Sequence, residues 1–333
     1  MQMRNIVLIL LLFSSSLSVF SSEFSAMTFN TQNLFDTLDD PKKNDKAYLP
    51  IEFKKSEKHI NSCQYIRVKA WKDECLYLDW NEDTKNAKLF NLVEVILAYD
   101  DSGPDILALQ EVENLNILTQ LFNLLEPHGY KDLMLIEGKD YRGIDTAFIS
   151  KFKIENSKLH YISFTGKHEN KDTRPILEVT MNINNEILKI YNVHFPSGFY
   201  DVSMRLDSLN TLENLLKSHN YPSIALGDFN INVKEDKKFD IYKSQETHWL
   251  VGHLNGCNDC KGTHYYAYDK SWSFLDTILL SKNRGIKYIH GSINVHATPT
   301  NVNEDTGRPI KFNPKKKNGV SDHLPIVAKF EFN

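Results

Sequence analysis

Eight polar side chains of this sequence stand at or just past the end of an apolar run: Asn30, Glu111, His194, Asp228, Asn230, Asp276, Asp322 and His323. Their segments read MTFNTQN, PDILALQEV, YNVHFPS, ALGDFN, FLD and GVSDHLP. Strand ends along one sheet edge are where a rigid scaffold gathers distant residues into a site. Glu111 closes an apolar run in which an isolated carboxylate is costly, so it needs a cation or hydrogen-bond donors. Asp228 and Asn230 flank Phe229, and in an extended segment positions i and i+2 face the same side. The donor set is dominated by oxygen, which favours Mg²⁺, Mn²⁺ or Ca²⁺ over zinc. Two histidines beside carboxylates suit proton transfer or donation to a developing oxyanion. There is no serine nucleophile elbow, Gly-rich phosphate loop or HExxH. Singly, each segment has a plainer reading: Asp-Phe-Asn and Asp322 as turn caps, His194 as a satisfied core histidine.

The elements that would position these residues follow from hydrophobic periodicity. Apolar, β-branched runs predict strands at Phe24–Phe29, Ile106–Leu109, Thr146–Ser150, Ile176–Ile183, Ile187–His194, Ile224–Gly227, Phe274–Leu280 and Pro325–Phe332. Apolar residues at three- and four-residue spacing predict helices through Leu89–Leu97, Leu115–Leu125 and Leu209–Leu216. Asn184-Asn185 joins two strands as a β-hairpin. The mixture of βαβ units and antiparallel strands fits two packed sheets with helices outside. No linker or repeat divides the chain, so residues 22–333 read as one domain. Within it, residues 37–81 form a surface insertion, expected to be basic because Pro41–Lys72 holds nine Lys/Arg against three acids, a local +6. Lys311, Lys315, Lys316 and Lys317 make a second basic cluster. Either could track a phosphate backbone or simply solvate a loop.

Composition bounds the possibilities. With 333 residues, 41% hydrophobic and 25% charged, the chain is globular, not collagen-like or disordered. The net charge of −4 argues against binding nucleic acid through bulk charge. Residues 1–21 have the layout of a secretory signal peptide, which predicts a secreted or periplasmic protein. Their apolar core is too short to span a bilayer, and no other run is long enough. Without Arg4, 38 basic side chains face 43 acids, a net of −5. Cys63, Cys75, Cys257 and Cys260 then suggest disulfides. Of three pairings, Cys63–Cys75 with Cys257–Cys260 is preferred because each pair falls within one loop-like segment. A zinc site would need a second close pair, and a thioredoxin-like motif would need to open a helix after a strand.

Together and in this order, FNTQN, DILALQEVEN, RGIDTAFIS, TRPILEV, NVHFPS, LGDFN, FLDTILLS and GVSDHLPI resemble the endonuclease/exonuclease/phosphatase family, which includes deoxyribonuclease I, exonuclease III and magnesium-dependent sphingomyelinases. The resemblance runs from Phe29 to Phe332. It implies a deoxyribonuclease I-like α/β fold, a four-layer α/β/β/α sandwich of two mixed sheets. It implies Glu111 as principal metal ligand with Asn30 and Asp322 nearby. Asp276 would orient His323 beside the scissile phosphate, Asp228 and Asn230 would position the attacking water and the phosphate, and His194 would be the second histidine. Arg174, and Arg142 less securely, would reach a phosphate. Gln32 stands where exonuclease III-like members often have an acid, which weakens any second-metal assignment. The implied chemistry is one-step phosphoester hydrolysis with Mg²⁺, or Mn²⁺ or Ca²⁺ in its place. Three functions compete: an exported nuclease acting as a monomer on DNA or RNA, a lipid or inositol-phosphate phosphoesterase, and a non-catalytic binder on the same scaffold. An exposed aromatic hairpin at His264–Tyr268 would favour the second.

Overall fold

The computed structural model describes residues 23–40 and 42–333, so the signal peptide expected at residues 1–21 lies outside the described residues. In chain order, strand β1 (Glu23–Leu34) precedes helices α1 (Glu57–Gln64), α2 (Lys69–Tyr77) and α3 (Glu82–Leu97). Next come β2 (Ile106–Val112), α4 (Leu115–Leu125), β3 (Asp132–Leu135), β4 (Asp145–Ser150) and β5 (Ile154–His160). The hairpin β6 (Ile176–Ile183) and β7 (Glu186–His194) leads through α5 (Val202–Lys217) into β8 (Ser223–Asp228). Then come α6 (Val233–Phe239), α7 (Ile241–Gln245), β9 (Trp249–Val251), α8 (Gly252–Asn255), β10 (His264–Tyr266), β11 (Ser271–Ser273), β12 (Asp276–Ser281), β13 (Ile286–Tyr288), β14 (Asn294–Val295) and β15 (Ile326–Phe332).

One sheet orders β13, β15, β1, β2, β4, β3, with β14 beside β15, and the other orders β5, β6, β7, β8, β12, β9. Each holds one parallel pair, β1/β2 and β7/β8, whose long crossovers contain α3 and α5. Two-residue alternation builds the layers. Even-numbered positions of the central strands (Ala26, Ile106, Ala108, Leu188, Ile190, Ile224, Leu226, Ile278) meet between the sheets. Odd-numbered Met27, Phe29, Leu107 and Leu109 pack outward on α3 and α4. Tyr191, Val193, Ala225 and Leu279 pack outward on α5. This is the expected four-layer arrangement, and both sheets share the inter-sheet core.

Along the same even positions the inter-sheet layer changes character. Thr28 and Asn30 follow Ala26, Gln110 follows Ala108, Asn192 and His194 follow Ile190, and Asp228 follows Leu226. On antiparallel β12, Asp276 precedes Ile278. One end of the layer is therefore polar.

Some elements differ from expectation. The strand expected from Phe274 begins at Asp276. β5 carries half-exposed polar residues at a sheet edge, which hid its periodicity. The insertion is not a set of loops: α1 and α2 are joined by a Cys63–Cys75 disulfide, and Cys257–Cys260 is also formed. Nor is the insertion strongly basic. Over residues 37–81 the nine bases meet eight acids, because the Pro41–Lys72 count omitted Asp39 and Asp40 before it and Asp73, Glu74 and Asp79 after it. Lys54 is buried, donating to Ala47, Glu74 and Leu78 carbonyls, and Lys69 pairs with Asp73.

Gly227 sits where β7 and β8 approach most closely, at φ +143°, and a Cβ there would lie 2.1 Å from the Val193 carbonyl oxygen. Gly227→Ala is expected to destabilise the fold by about 3 kcal/mol or more, read from the denaturant midpoint. An unchanged midpoint would show that the two strands can separate freely.

Candidate active site

The polar end of the inter-sheet layer collects residues from both sheets. Asn30 on β1 donates through Nδ2 to Asp228 Oδ2 on β8 at 3.1 Å. His323, just before β15, meets Asp276 of β12 through Nδ1 to Oδ2 at 2.7 Å. His194 Nε2 lies 3.6 Å from Asp228 Oδ2 and 3.8 Å from Glu111 Oε1. Strict alternation would send Glu111 outward with Leu107 and Leu109. Instead β2 slips register between Gln110 and Val112, and Glu111 takes φ 63°. Such a bulge re-aims a side chain, here towards His194. The Asn33 backbone N–H donates to Glu111 Oε2 at 3.0 Å, leaving Oε1 towards the site.

The terminal SDH segment is suspended by short bonds. Ser321 Oγ donates to the Asn30 carbonyl at 2.7 Å, and the Asp322 N–H donates to Gln32 Oε1 at 3.0 Å. Gln32 is thus a loop anchor here. The whole expected set of Asn30, Glu111, His194, Asp228, Asn230, Asp276, Asp322 and His323 lies at this end of the layer.

Two readings need correction. Asn230 has left the extended conformation at φ 54°. Its N–H donates to Asp228 Oδ1 at 2.8 Å, and its Nδ2 donates to the Phe195 carbonyl at 3.0 Å. The Asx turn and the site role therefore coexist. Arg174 is not a phosphate arm: it is buried and committed to the His194 and Phe195 carbonyls and to Asp140. It braces the backbone that presents His194. Arg142, on the loop beside it, is half-exposed near the same Asp140.

Burial works unequally on the titrating groups. It raises Asp228, with repulsion from Asp276 adding to the shift. His194 is held well below the ordinary histidine range by burial and by Arg174, Arg142 and His323, so it is neutral at pH 7. Burial also opposes the charge on His323, but Asp276, by charge and hydrogen bond, with Asp228 and Asp322, holds it well above that range. The site thus contains a neutral imidazole, an imidazolium and a carboxylate raised towards neutrality, a spread typical of acid–base machinery.

The candidate cation ligands are Glu111 and Asp322. Neither Glu111 nor Asp322 has a lysine or arginine within ion-pairing distance among the described residues, although His194 Nε2 lies 3.8 Å from Glu111 Oε1; the Asn30 amide oxygen accepts from the Gln32 N–H at 2.9 Å. Hard oxygen donors without basic partners suit Mg²⁺-like ions. Among the described residues two groups bring possible ligand atoms within 4.8 Å of one another: Asp228, Asp276 and His323, where His323 already pairs with Asp276, and His59, Cys63 and Cys75, where both sulfurs are in the disulfide.

Asp140 and Lys88 went unnoticed in the sequence, and His264 was read there only as the start of an aromatic hairpin. His264 stacks obliquely on His323 with ring centres 5.0 Å apart, and burial lowers it to about 4. Asp140 joins the two arginines. Lys88 sits on the buried face of α3, and a lysine one turn from Leu92 in that stripe was the available signal.

Residues 76–331 match the Endonuclease/Exonuclease/phosphatase family. The chain belongs to this family. Its members are phosphoester hydrolases that generally use divalent metal ions. The chain is similar, at 26% identity over 72% of its length, to the CCR4-Not complex 3'-5'-exoribonuclease subunit Ccr4 of Saccharomyces cerevisiae, and it spans only 34% of that protein. Among solved structures, D. rerio TDP2 complexed with single strand DNA product superposes with TM-score 0.57 at 16% identity, covering 93% of this chain and 99% of that one. Mannosyl-6-phosphatase from Bacteroides thetaiotaomicron gives 0.53 at 15% identity, covering 93% and 100%. At such identities the likeness establishes the fold, not the substrate.

The imidazolium has a pH signature. His323 has a raised folded value, so the Asp276–His323 pair contributes stability fully below the free-histidine value of about 6.5 and loses it as pH rises through the folded value. Asp276→Asn is expected to lower kcat/KM by about 10²–10⁴-fold and to move the alkaline limb of its pH profile downward, because the asparagine cannot hold the proton on His323. An unmoved alkaline limb would assign that proton elsewhere.

Proposed function

We propose that the protein is an exported, Mg²⁺-dependent nuclease that hydrolyses phosphodiester bonds in DNA, and in RNA as a further substrate, acting as a monomer. The observation that carries this reading is the separation of roles within one seam. Glu111 and Asp322 stand without a lysine or arginine partner, while raised Asp228 lies beside neutral His194 and near charged His323. Mg²⁺, or Mn²⁺ or Ca²⁺ in its place, held by Glu111 with Asn30 and Asp322, would supply Lewis-acid charge for a non-bridging phosphate oxygen. Asp228 orients the water and takes its proton, which its raised affinity favours. His323 gives its proton to the leaving oxygen and is held in orientation by Asp276. His194 donates from Nε2 to a phosphate oxygen, and Asn230 uses its second amide hydrogen in the same way. Arg174 serves indirectly by fixing the His194 backbone.

The surroundings support a polyanionic substrate. Exposed Lys311 is close enough for its charge to act on both His264 and Lys88, and Arg142 lies near His194. A cleft of about 540 Å³ runs from Asn230 and His264 past Phe199, Lys234 and Tyr266. Exposed rings beside a phosphate site can stack on bases. Two disulfides are consistent with an oxidising compartment. One observation favours the lipid reading instead: the β10–β11 hairpin carries Tyr266 and Tyr268, 54% and 89% exposed, near Phe199 at 93%. Rings of this kind can also settle at a lipid interface.

Purified protein incubated with plasmid DNA, RNA and sphingomyelin, with Mg²⁺ or EDTA, separates the two. Mg²⁺-dependent cleavage of nucleic acid is expected, reduced about 10²–10⁴-fold in His194→Ala. Cleavage of the lipid alone would overturn the nuclease reading, and full activity in EDTA would overturn the metal requirement.

A further inference from the structure

Lys88 is a lysine almost wholly removed from water, at 1% exposure, on the inward face of α3. It has no carboxylate within ion-pairing distance among the described residues. Its Nζ instead donates to the Val320 carbonyl at 2.5 Å and the Gln32 carbonyl at 3.2 Å, and it lies 5.1 Å from the centre of the Phe312 ring. Those two carbonyls belong to different segments. Gln32 follows Asn30 in the irregular end of β1, where Gln32 and Asn33 take φ 53° and 60°. Val320 precedes Asp322 in the terminal loop. One turn further along α3, Asn91 donates to the Gly319 carbonyl at 2.9 Å and the Lys317 carbonyl at 3.3 Å. At Gly319, φ is +74° and a Cβ would come within 2.5 Å of the Lys311 carbonyl oxygen, so this loop has no slack to reposition itself.

We propose that Lys88 is a positioning residue for the metal centre. From α3 it ties together the two segments that carry Asn30 and Asp322, with Asn91 holding the outer end of the same loop. This rests on the metal-dependent reading above. A buried lysine is an expensive way to join two carbonyls, since burial opposes its charged form and pushes it down to about 7. What the ammonium adds is a fixed separation. One nitrogen with three donors in fixed directions bonds both segments at once, and neither can shift without leaving a charge unsatisfied. Lys88 touches no reacting atom and acts through the residues it spaces.

Two substitutions test this. Lys88→Met keeps length and volume but has no donor. Calorimetric titration of the metal-free full-length protein with Mn²⁺ is expected to show binding weakened at least about tenfold relative to wild type, the lower end for loss of an outer partner of a metal ligand. The thermal midpoint in EDTA is expected to fall by a few degrees at most, for the two carbonyls left without a donor, and kcat on DNA to drop with KM little changed. Asn91→Ala, at the more exposed end of the clamp, is expected to weaken Mn²⁺ in the same direction by a smaller factor, and it carries the test if Lys88→Met does not fold. Wild-type Mn²⁺ affinity in Lys88→Met, or in Asn91→Ala where that variant stands in, overturns the proposal and leaves the metal-dependent reading intact. No Mn²⁺ binding by the wild-type protein overturns that reading, and the role of Lys88 with it.

Discussion

The bond on which the site depends lies below it. Gln110 on one sheet donates through Nε2 to Asn192 Oδ1 on the other at 2.7 Å, and Asn192 Nδ2 donates to the Leu109 and Ala147 carbonyls. Buried amides left unpaired would be costly, but fully paired ones hold two elements in a unique relation. This pair marks the level at which the inter-sheet layer turns from apolar to polar. Above it come two more bonds of the same kind, Asn30 to Asp228 and His323 to Asp276, each joining the chain of one sheet to a strand of the other. The catalytic seam is therefore the continuation of the sandwich core by other means. Apolar burial sets the spacing of the sheets, and the amide bond transmits that spacing to groups whose chemistry needs it.

Regular alternation alone would not complete such a site. Even positions supply Asn30, His194, Asp228 and Asp276, but Glu111 is odd. It reaches the seam only because β2 breaks register and accepts a left-handed residue. The same device recurs at Gln32, Asn33 and Asn230. Positive φ in residues other than glycine is unfavourable, and four of the thirteen such residues among those described, Gln32, Asn33, Glu111 and Asn230, stand where these strands end. Gly227 makes the complementary contribution, since only its missing side chain lets β7 and β8 come close enough to set His194 opposite Asp228.

This explains which features the sequence displayed. The long buried strands and three main helices were legible because two cores impose clean periods on them. The site residues were legible as types at strand ends, and their order along the chain carried the family. What escaped was whatever depends on three-dimensional approach. Arg174 looks the same in sequence whether it meets a phosphate or two carbonyls, and only the fold shows it spent on the His194 backbone. The insertion looked basic because a linear window left out the acids on either side of it. Its helices were hidden because one disulfide and one buried lysine, more than an apolar stripe, hold them. Short β10 and β11 carry no core, so no periodicity announced them.

The charge pattern of the seam links its two halves. Glu111, Asp228, Asp276 and Asp322 converge there, while the buried cations nearby are already committed: His323 to Asp276, Arg174 to Asp140 and carbonyls, Lys88 to carbonyls. Such a surface repels a phosphodiester unless positive charge is added or protons are retained. Both responses are visible in the protein's own groups: Asp228 is pushed towards its neutral form, and His323 keeps its proton. A cation taken up by Glu111 and Asp322 would relieve the same repulsion and bring the phosphate within reach of His194. Substrate and cation are then expected to bind with mutual reinforcement, since each reduces the electrostatic cost the other meets at a common site. On the proposed nuclease reading, the acidity that made the whole chain look like a poor partner for nucleic acid is, at this one place, what would call for the ion.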